Sequence, residues 1–175
     1  SKKNLTSNQQ MAIFSLDQTK DWLLFSVDGE GDLESGAIFK LSKQKVDKIS
    51  SISRKFSLGY FYTWITEHLG MKPNQHEFKV MGLEPYVRKN TEQYERVFNK
   101  LDSLFFFTSL NFKSRIYTTS GKFKKWLKKN LYQERFDNIA AAAQKVLEKT
   151  LLTWIRNWIA ETGISNIALS GGTFM

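Results

Sequence analysis

The chain has 175 residues, enough for one domain with a hydrophobic core and too few for two domains of ordinary size. Hydrophobic residues make up 41% and aromatic residues 14% of the chain, which excludes a disordered polypeptide because such side chains require burial. The sequence contains no cysteine. Disulfides, thiolate catalysis and thiolate metal sites are therefore excluded, and a metal would need oxygen or histidine ligands.

The 26 basic and 17 acidic residues give a net charge of +9, which favours phosphates, nucleic acid or an acidic partner. No apolar run reaches the roughly 18 residues of a membrane span, and the N-terminus lacks the apolar region of a signal peptide. We therefore expect a soluble, cytoplasmic protein with no membrane association.

The first half of the chain predicts a small sheet. Residues 1–10 are polar without periodicity and predict a frayed arm. The apolar run Trp22–Val27 predicts a buried strand, and the alternation over Glu34–Leu41 predicts a second one. Residues 28–32, with the sequence DGEGD, would then connect a hairpin. Residues 43–53 predict a further short strand and loop.

Helical periodicity dominates the middle of the chain. Residues 56–69 carry an aromatic stripe that includes Tyr60, Phe61 and Trp64 and suits a helix better than a strand. His68 has no second histidine at ligand spacing, so it is interpreted as a helix-face residue. Residues 91–104 predict an amphipathic helix. The three phenylalanines that follow, residues 105–107, predict core or a covered strand.

The segment Lys122–Lys129 predicts a helix with an apolar stripe and a basic remainder. Such a helix could bind nucleic acid through phosphate contacts and base stacking. However, Phe123, Trp126 and Leu127 form an ordinary buried stripe that leaves no free aromatic platform. A solvated basic face is therefore favoured, and nucleic acid is not the expected partner.

The C-terminal part predicts the longest helix, from Asn138 to Glu161, capped by Asp137 and ended by Gly163. Its apolar positions follow the helical period: Ile139, Ala143, Val146, Thr150, Trp154 and Trp158. A short strand over residues 166–169 then leads into residues 170–173, with the sequence SGGT. Paired glycines after a strand let backbone N–H groups approach an anion, although the pair alone is weakly specific.

Two further segments leave alternatives open. Asp28-Gly29 is most simply a hairpin turn without chemistry. Residues 76–86, with the sequence HEFKVMGLEPY, place Glu77 and Lys79 in a short apolar run. They are consistent with a surface helix that ends at Gly82 and is stopped by Pro85, or with a segment that contacts a ligand.

Four segments together resemble one family. Residues 22–32, 57–86, 138–147 and 166–174 occur in the same order as motifs of the O-carbamoyltransferase family, which includes nodulation-type and antibiotic carbamoyltransferases. The pattern SLGxFYxxxTxxLG followed by dEgKvMGLApYG is closely matched by residues 57–86. This chain departs from it with Phe78 for a small residue, Glu84 for alanine and Val87 for glycine.

The resemblance implies an α/β fold: part of an actin/sugar-kinase-like (ASKHA) lobe, with a short β-sheet packed with several helices. Residues 1–175 would form a single domain, the middle part of the N-terminal carbamoyltransferase domain, without the C-terminal adenylate-forming domain. The implied activity is ATP-dependent transfer of a carbamoyl group from carbamoyl-adenylate to a hydroxyl acceptor. The remainder of the same polypeptide and a small hydroxyl-bearing molecule would be the partners, and ATP or carbamoyl-adenylate the cofactor.

The resemblance also implies site residues. The catalytic candidates are Asp28, Glu77 and Lys79, and the nucleotide-binding candidates are Gly29, Gly31, Ser170, Gly171, Gly172 and Thr173. Asp28 is the one implied metal ligand that this chain retains. Counting back 19 residues from Asp28 places Gln9 and Leu5 at two histidine positions of the family, and neither side chain replaces an imidazole. A divalent metal is therefore doubtful, and a catalytically degenerate relative that binds nucleotide or protein is the alternative.

Overall fold

The computed structural model describes residues 7–29, 33–89 and 91–174. Their α-helices are Ser7–Phe14 (α1), Leu58–His68 (α2), Glu77–Met81 (α3), Glu92–Asp102 (α4), Gly121–Asn130 (α5) and Phe136–Thr162 (α6). Their strands are Trp22–Val27 (β1), Glu34–Ser42 (β2), Lys45–Ser53 (β3), Phe105–Thr108 (β4), Asn111–Ser114 (β5) and Ile167–Ser170 (β6). Short 3₁₀ turns occur at Arg54–Phe56, Glu84–Tyr86 and Gly172–Phe174.

The main sheet has the strand order β3-β2-β1-β6. β1, β2 and β3 are antiparallel neighbours, with Val27 opposite Gly36 in the first pair. β6 lies parallel to β1, with Ser26 beside Ser170. β4 and β5 form a separate antiparallel hairpin. The predicted mixed α/β architecture, with a short sheet and several helices, is confirmed.

Helices cover both faces of β1. Leu23, Phe25 and Val27 point into the larger core with α2 and α6. Leu24 faces the opposite way and packs with Ile13 of α1. The predicted frayed arm is wrong for residues 7–10, because α1 gains its stability from this sheet face and not from a periodic pattern of its own. Residues 1–6 lie outside the described residues.

Trp154 of α6 is the largest side chain at the centre of the core and is fully buried. Its ring makes edge contacts with Phe25 at 5.2 Å and Phe112 at 5.7 Å between ring centroids. Its indole Nε1 donates to Asn111 Oδ1 at 2.9 Å. The hydrogen bond satisfies the polar end of a buried indole, which is otherwise costly to bury. Trp154 thereby joins β1, β5 and α6.

The long helix begins earlier than predicted. Arg135 is its N-cap residue, and Asp137 lies inside the first turn, so the predicted cap at Asp137 is wrong. The Asp137 carboxylate still accepts a hydrogen bond from Asn138 N at 2.9 Å, and an acidic group there suits the helix dipole. Gly163 ends the helix with a left-handed φ of 70°, as predicted.

The basic helix α5 buries Phe123 and Leu127, while Trp126 is half-buried. Its lysines lie on the remaining surface, and Lys124 pairs with Glu67 of α2 at 2.8 Å. The predicted division into a buried stripe and a solvated face is confirmed for these residues. None of the helices in the described ranges combines the length and apolar character needed to cross a membrane.

Candidate functional site

The candidate site lies at the carboxyl ends of β1 and β6. Asp28 follows directly on the buried strand β1, its side chain is exposed, and its backbone N–H donates to Ser35 O at 3.0 Å. Since β6 runs parallel to β1, both strands deliver their following residues to the same edge of the sheet. Asp28 therefore lies beside Gly171 and Gly172. Asp28 and Gly172, which are hydrogen-bonded to each other, are 144 residues apart in the sequence.

The backbone of the glycine pair packs directly against the end of β1. Gly171 has a φ of +101°, and a Cβ atom built on it would lie 2.2 Å from Val27 O. A side chain at this position is excluded both by the clash and by the left-handed backbone. The next amide, Gly172 N, donates to Asp28 Oδ1 at 3.4 Å. The loop after β6 thus presents main-chain N–H groups beside the carboxylate.

The N-terminus of α2 forms the other wall of the site. Ser57 caps this helix, accepting a hydrogen bond from Tyr60 N at 3.1 Å, and its hydroxyl donates to Gly29 O at 3.4 Å. A Cβ atom on Gly59 would lie 2.5 Å from Gly29 Cα, so two glycines allow helix and loop to touch. The positive end of the α2 dipole therefore lies beside the Asp28-Gly29 turn.

The remaining predicted loop residues lie at the same edge. Ser170 is the last residue of β6, and Thr173 lies in the 3₁₀ turn that follows Gly171. Both are half-buried. Gly31, the other predicted nucleotide-binding residue, lies outside the described residues.

Helix α1 reaches the site from the opposite face of the sheet. Gln9 is buried, and its Nε2 donates to Ser26 Oγ at 3.0 Å. Ser26 lies two residues before Asp28, so Gln9, which the ungapped count from Asp28 places at a histidine position of the family, lies close to the candidate site. Leu5, at the other histidine position, is outside the described residues.

These residues do not fit the metal that the family resemblance implies. An amide is a weak ligand for a transition metal, and the Gln9 amide donates to a hydroxyl. Among residues 7–29, 33–89 and 91–174, no three His, Asp or Glu side chains converge into a potential metal site. Asp28 is the remaining charged ligand at these positions.

Glu77 and Lys79 lie on a separate element. Helix α3 anchors itself through the fully buried Val80 and packs against α2 and α6. The Glu77 carboxylate accepts a hydrogen bond from Asn74 N at 2.7 Å, and Lys79 Nζ lies 3.2 Å from His76 Nε2. Within the described chain, no hydrogen bond joins either side chain to Asp28 or the glycine loop. The short helix ending at Gly82 is present as predicted.

Sequence reasoning did not assign Ser57 and Gly59 to the site. Their signal was present as a serine and a glycine two residues apart at the start of the predicted helical segment, residues 56–69. However, a serine at this position is already explained by its role as a helix cap. Only the contact with Gly29 shows that the start of the helix belongs to the site.

Comparison with known proteins agrees with this arrangement of motifs. The family model described as "Carbamoyltransferase N-terminus" matches residues 10–175, and the chain therefore belongs to the carbamoyltransferase N-terminal domain family. That match includes the strand-end aspartate, the capped helix α2 and the glycine loop.

Three relatives illustrate the range of the family. Nodulation protein NolNO of Sinorhizobium fredii is 27% identical over 162 residues, covering 91% of this chain and 23% of its own length. Nodulation protein NolO of Bradyrhizobium diazoefficiens is 27% identical over 165 residues, covering 93% and 29%. An uncharacterised protein of Methanocaldococcus jannaschii, MJ1051, is 32% identical over 168 residues, covering 91% and 31%. The chain thus spans about a quarter to a third of these relatives.

Proposed function

We propose that this chain supplies the nucleotide-facing wall of an ATP-dependent O-carbamoyltransferase, built on an actin/sugar-kinase-like lobe. The carbamoyl group would pass through carbamoyl-adenylate to a hydroxyl acceptor. The observation that carries the proposal is the convergence of Asp28 with Gly171 and Gly172 at one edge of the sheet. Family membership supports the carbamoyltransferase class.

The geometry suits a magnesium-bound phosphate chain. Backbone N–H groups in a glycine loop and at a helix N-terminus bind phosphate oxygens without needing a cationic side chain. Mg²⁺ is commonly held by one or two carboxylates together with substrate phosphates. One carboxylate, Asp28, beside the N–H of Gly172 fits that division between metal and phosphate.

Glu77 and Lys79 enter the proposal as the polar wall of a neighbouring subsite. Their helix packs on α2, whose N-terminus touches Gly29. A ligand extending from the glycine loop along α2 would approach them, with Lys79 exposed and Glu77 half-buried.

Calorimetric titration with ATP and Mg²⁺ tests the nucleotide site. Asp28→Asn keeps the shape and removes the charge, and we expect its affinity to fall about tenfold or more, the scale of one charge-assisted contact. Asp21→Asn is the matched control because Asp21 is exposed and precedes the other end of β1. Absence of binding in the unsubstituted chain, or equal affinity in both variants, contradicts the proposal.

A catalytically degenerate nucleotide-binding or protein-interaction module is the second candidate function. The Gln9–Ser26 hydrogen bond favours it, because it occupies the side of the site where the family pattern has an imidazole. The two functions separate when carbamoyl phosphate is titrated, after ATP, into a longer polypeptide that joins this chain to an adenylate-forming domain. If the protein is an enzyme, we expect a heat signal and consumption of carbamoyl phosphate. If it is a degenerate module, we expect nucleotide binding alone.

A further inference from the structure

A second cleft, of about 390 Å³, lies where the N-terminal ends of α4 and α6 meet. Its lining includes Tyr86 and Arg88 from the segment after α3, Thr91 at the start of α4, and Arg135, Asp137 and Asn138 at the start of α6. The volume is in the range of small-molecule sites. Unlike most such sites, it is lined by residues with polar or charged side chains.

The cleft is remote from the glycine loop. A Cβ atom on Gly36, the partner of Val27, would lie 3.4 Å from Trp154, so Trp154 marks the level at which β1 ends. Asn138 lies 16 residues before Trp154 on the same helix, which corresponds to about 24 Å along the axis. The two sites can therefore be tested separately.

Asn138 points to a ligand in this cleft. The residue is only 4% exposed, and within the described chain its side-chain amide takes part in no hydrogen bond. Every side-chain nitrogen or oxygen of the described residues that is fully buried has a hydrogen-bond partner. Since the Asn138 amide has none, it is not fully buried. The amide must therefore reach accessible surface, and the cleft that Asn138 lines provides it. A nearly buried amide without a protein partner is costly unless a ligand or water satisfies it.

The charges around Asn138 select an anion. Arg135 makes two hydrogen bonds to Asp137, at 3.1 and 2.8 Å, which neutralise that carboxylate. Arg88 is exposed and, in the part of the chain that the structure describes, forms no ion pair. One positive charge therefore remains uncompensated in the cleft.

Backbone dipoles add to that charge. The N-cap residue of the 27-residue helix α6 makes no side-chain hydrogen bond. Asn138 N donates to Asp137 and Ile139 N donates to Arg135 O, so the N–H groups of Phe136 and Asp137 remain without a helix partner. The start of α4 lies in the same cleft, with Thr91 as its N-cap residue. Both helices direct the positive ends of their dipoles toward the same volume.

We propose that this cleft binds a small organic phosphate, with the Arg88 guanidinium and the Asn138 amide as direct ligands of the phosphoryl oxygens. The N–H groups of Phe136 and Asp137, at the start of α6, complete the anion site. Tyr86, which is 78% exposed, provides an aromatic wall for the organic part of the ligand. Nothing in this proposal depends on ATP binding at the glycine loop.

Nuclear magnetic resonance of the ¹⁵N-labelled chain tests the proposal at constant ionic strength. Inorganic phosphate is titrated first, followed by a phosphomonoester such as glycerol phosphate. We expect saturable shifts of the backbone amides of residues 91–94 and 136–139, with tighter binding of the phosphomonoester. Tighter binding of inorganic phosphate would assign the site to the free ion and overturn the organic ligand.

Two variants test the proposed ligands. Arg88→Gln removes an exposed cation and is expected to weaken binding about tenfold or more. Arg156→Gln, which also changes an exposed arginine, on α6, is the matched control and should leave affinity unchanged. Asn138→Asp keeps the shape and suits a helix N-terminus, so it should fold yet repel phosphate.

Three results would overturn the proposal: no shifts in the two amide groups, equal weakening by Arg88→Gln and Arg156→Gln, or unchanged binding in Asn138→Asp. Asp28→Asn should leave the titration unaffected. If Asp28→Asn abolishes the shifts, the phosphate is bound at the glycine loop and the second site is excluded.

Discussion

The geometry of the candidate site depends on a few positions where any side chain would be an obstacle. Gly171 lies against the carbonyl of Val27, and Gly59 lies against the backbone of Gly29. These contacts bring a loop, a strand end and a helix start within hydrogen-bonding reach of each other. At Gly171 the requirement is double, because its φ of +101° also disfavours any L residue.

Gly171→Ala is expected to destabilise the fold by about 2 to 4 kcal/mol, since steric overlap and left-handed backbone strain act together. Gly121→Ala is the control: it lies at the start of α5, where a Cβ atom would meet nothing within 4 Å. That change should be neutral or stabilising by about 0.5 to 1 kcal/mol. Urea unfolding measures both. Equal stability of the two variants would show that the loop does not make this close contact.

At the scale of elements, Glu134 in the segment between α5 and α6 holds α4 in place. Its carboxylate, 7% exposed at the side chain, accepts hydrogen bonds from Arg96 at 3.0 and 2.7 Å and from Lys100 at 2.9 Å. Lys100 also donates to Asn130 O at 2.8 Å. The hydrogen bonds from Arg96 and Lys100 lower the pKa of Glu134 from its ordinary 4.5 to about 2, against the opposing effect of burial.

Glu134→Gln should cost about 1 to 2 kcal/mol of unfolding free energy at pH 7, since the charge-assisted part of these bonds is lost while the cations stay partly exposed. The native pKa lies below the unfolded one, so this contribution is complete above pH 4.5 and disappears as pH falls toward 2. The difference between the two proteins should shrink over that interval.

Urea midpoints at pH 7, 4 and 3 would measure the effect. Glu161→Gln, at an exposed position near the end of α6, is the control and should change stability by less than about 0.5 kcal/mol. A difference for Glu134→Gln that is independent of pH would refute the ionic contribution.

At the scale of the whole molecule, the net charge favours anionic ligands, whereas the side chains at the candidate site are poor ligands for a metal. The net charge of +9 suits anionic ligands, and the glycine loop and the second cleft both offer backbone N–H groups to anions. The ligands for a resident transition metal are poor by comparison. Within the described residues of the candidate site they comprise the Asp28 carboxylate and the Gln9 amide, which is already hydrogen-bonded.

We therefore predict that the purified chain retains no tightly bound iron, zinc or manganese after dialysis, because a single carboxylate binds such ions weakly. Elemental analysis measures this directly. Retention of about one equivalent of any of these metals would contradict the prediction and the ungapped alignment of residues 1–10 behind it. Gln9→His is the complementary variant, and increased retention would place position 9 within reach of the metal.

Much of the local structure follows from the sequence. β1 was predicted with its observed bounds, because six apolar or small residues are followed by Asp-Gly. The buried positions of α6 followed from its 3.6-residue period, and its end at Gly163 from the left-handed conformation that glycine tolerates. Family membership was also predictable, since four motif segments in the correct order are more specific than any one of them.

Only the tertiary structure decided what those elements form together. α1 has little periodicity of its own, and the apolar face of the sheet stabilises it. Ser57 and Gly59 join the site through contacts with Gly29. In contrast, Glu77 and Lys79 form local contacts, although they belong to a conspicuous sequence motif. The cleft at Asn138 requires two helix starts that lie 44 residues apart to meet. Local propensity and periodicity act over a few residues, while strand pairing and close backbone approach bring together positions that no sequence window contains.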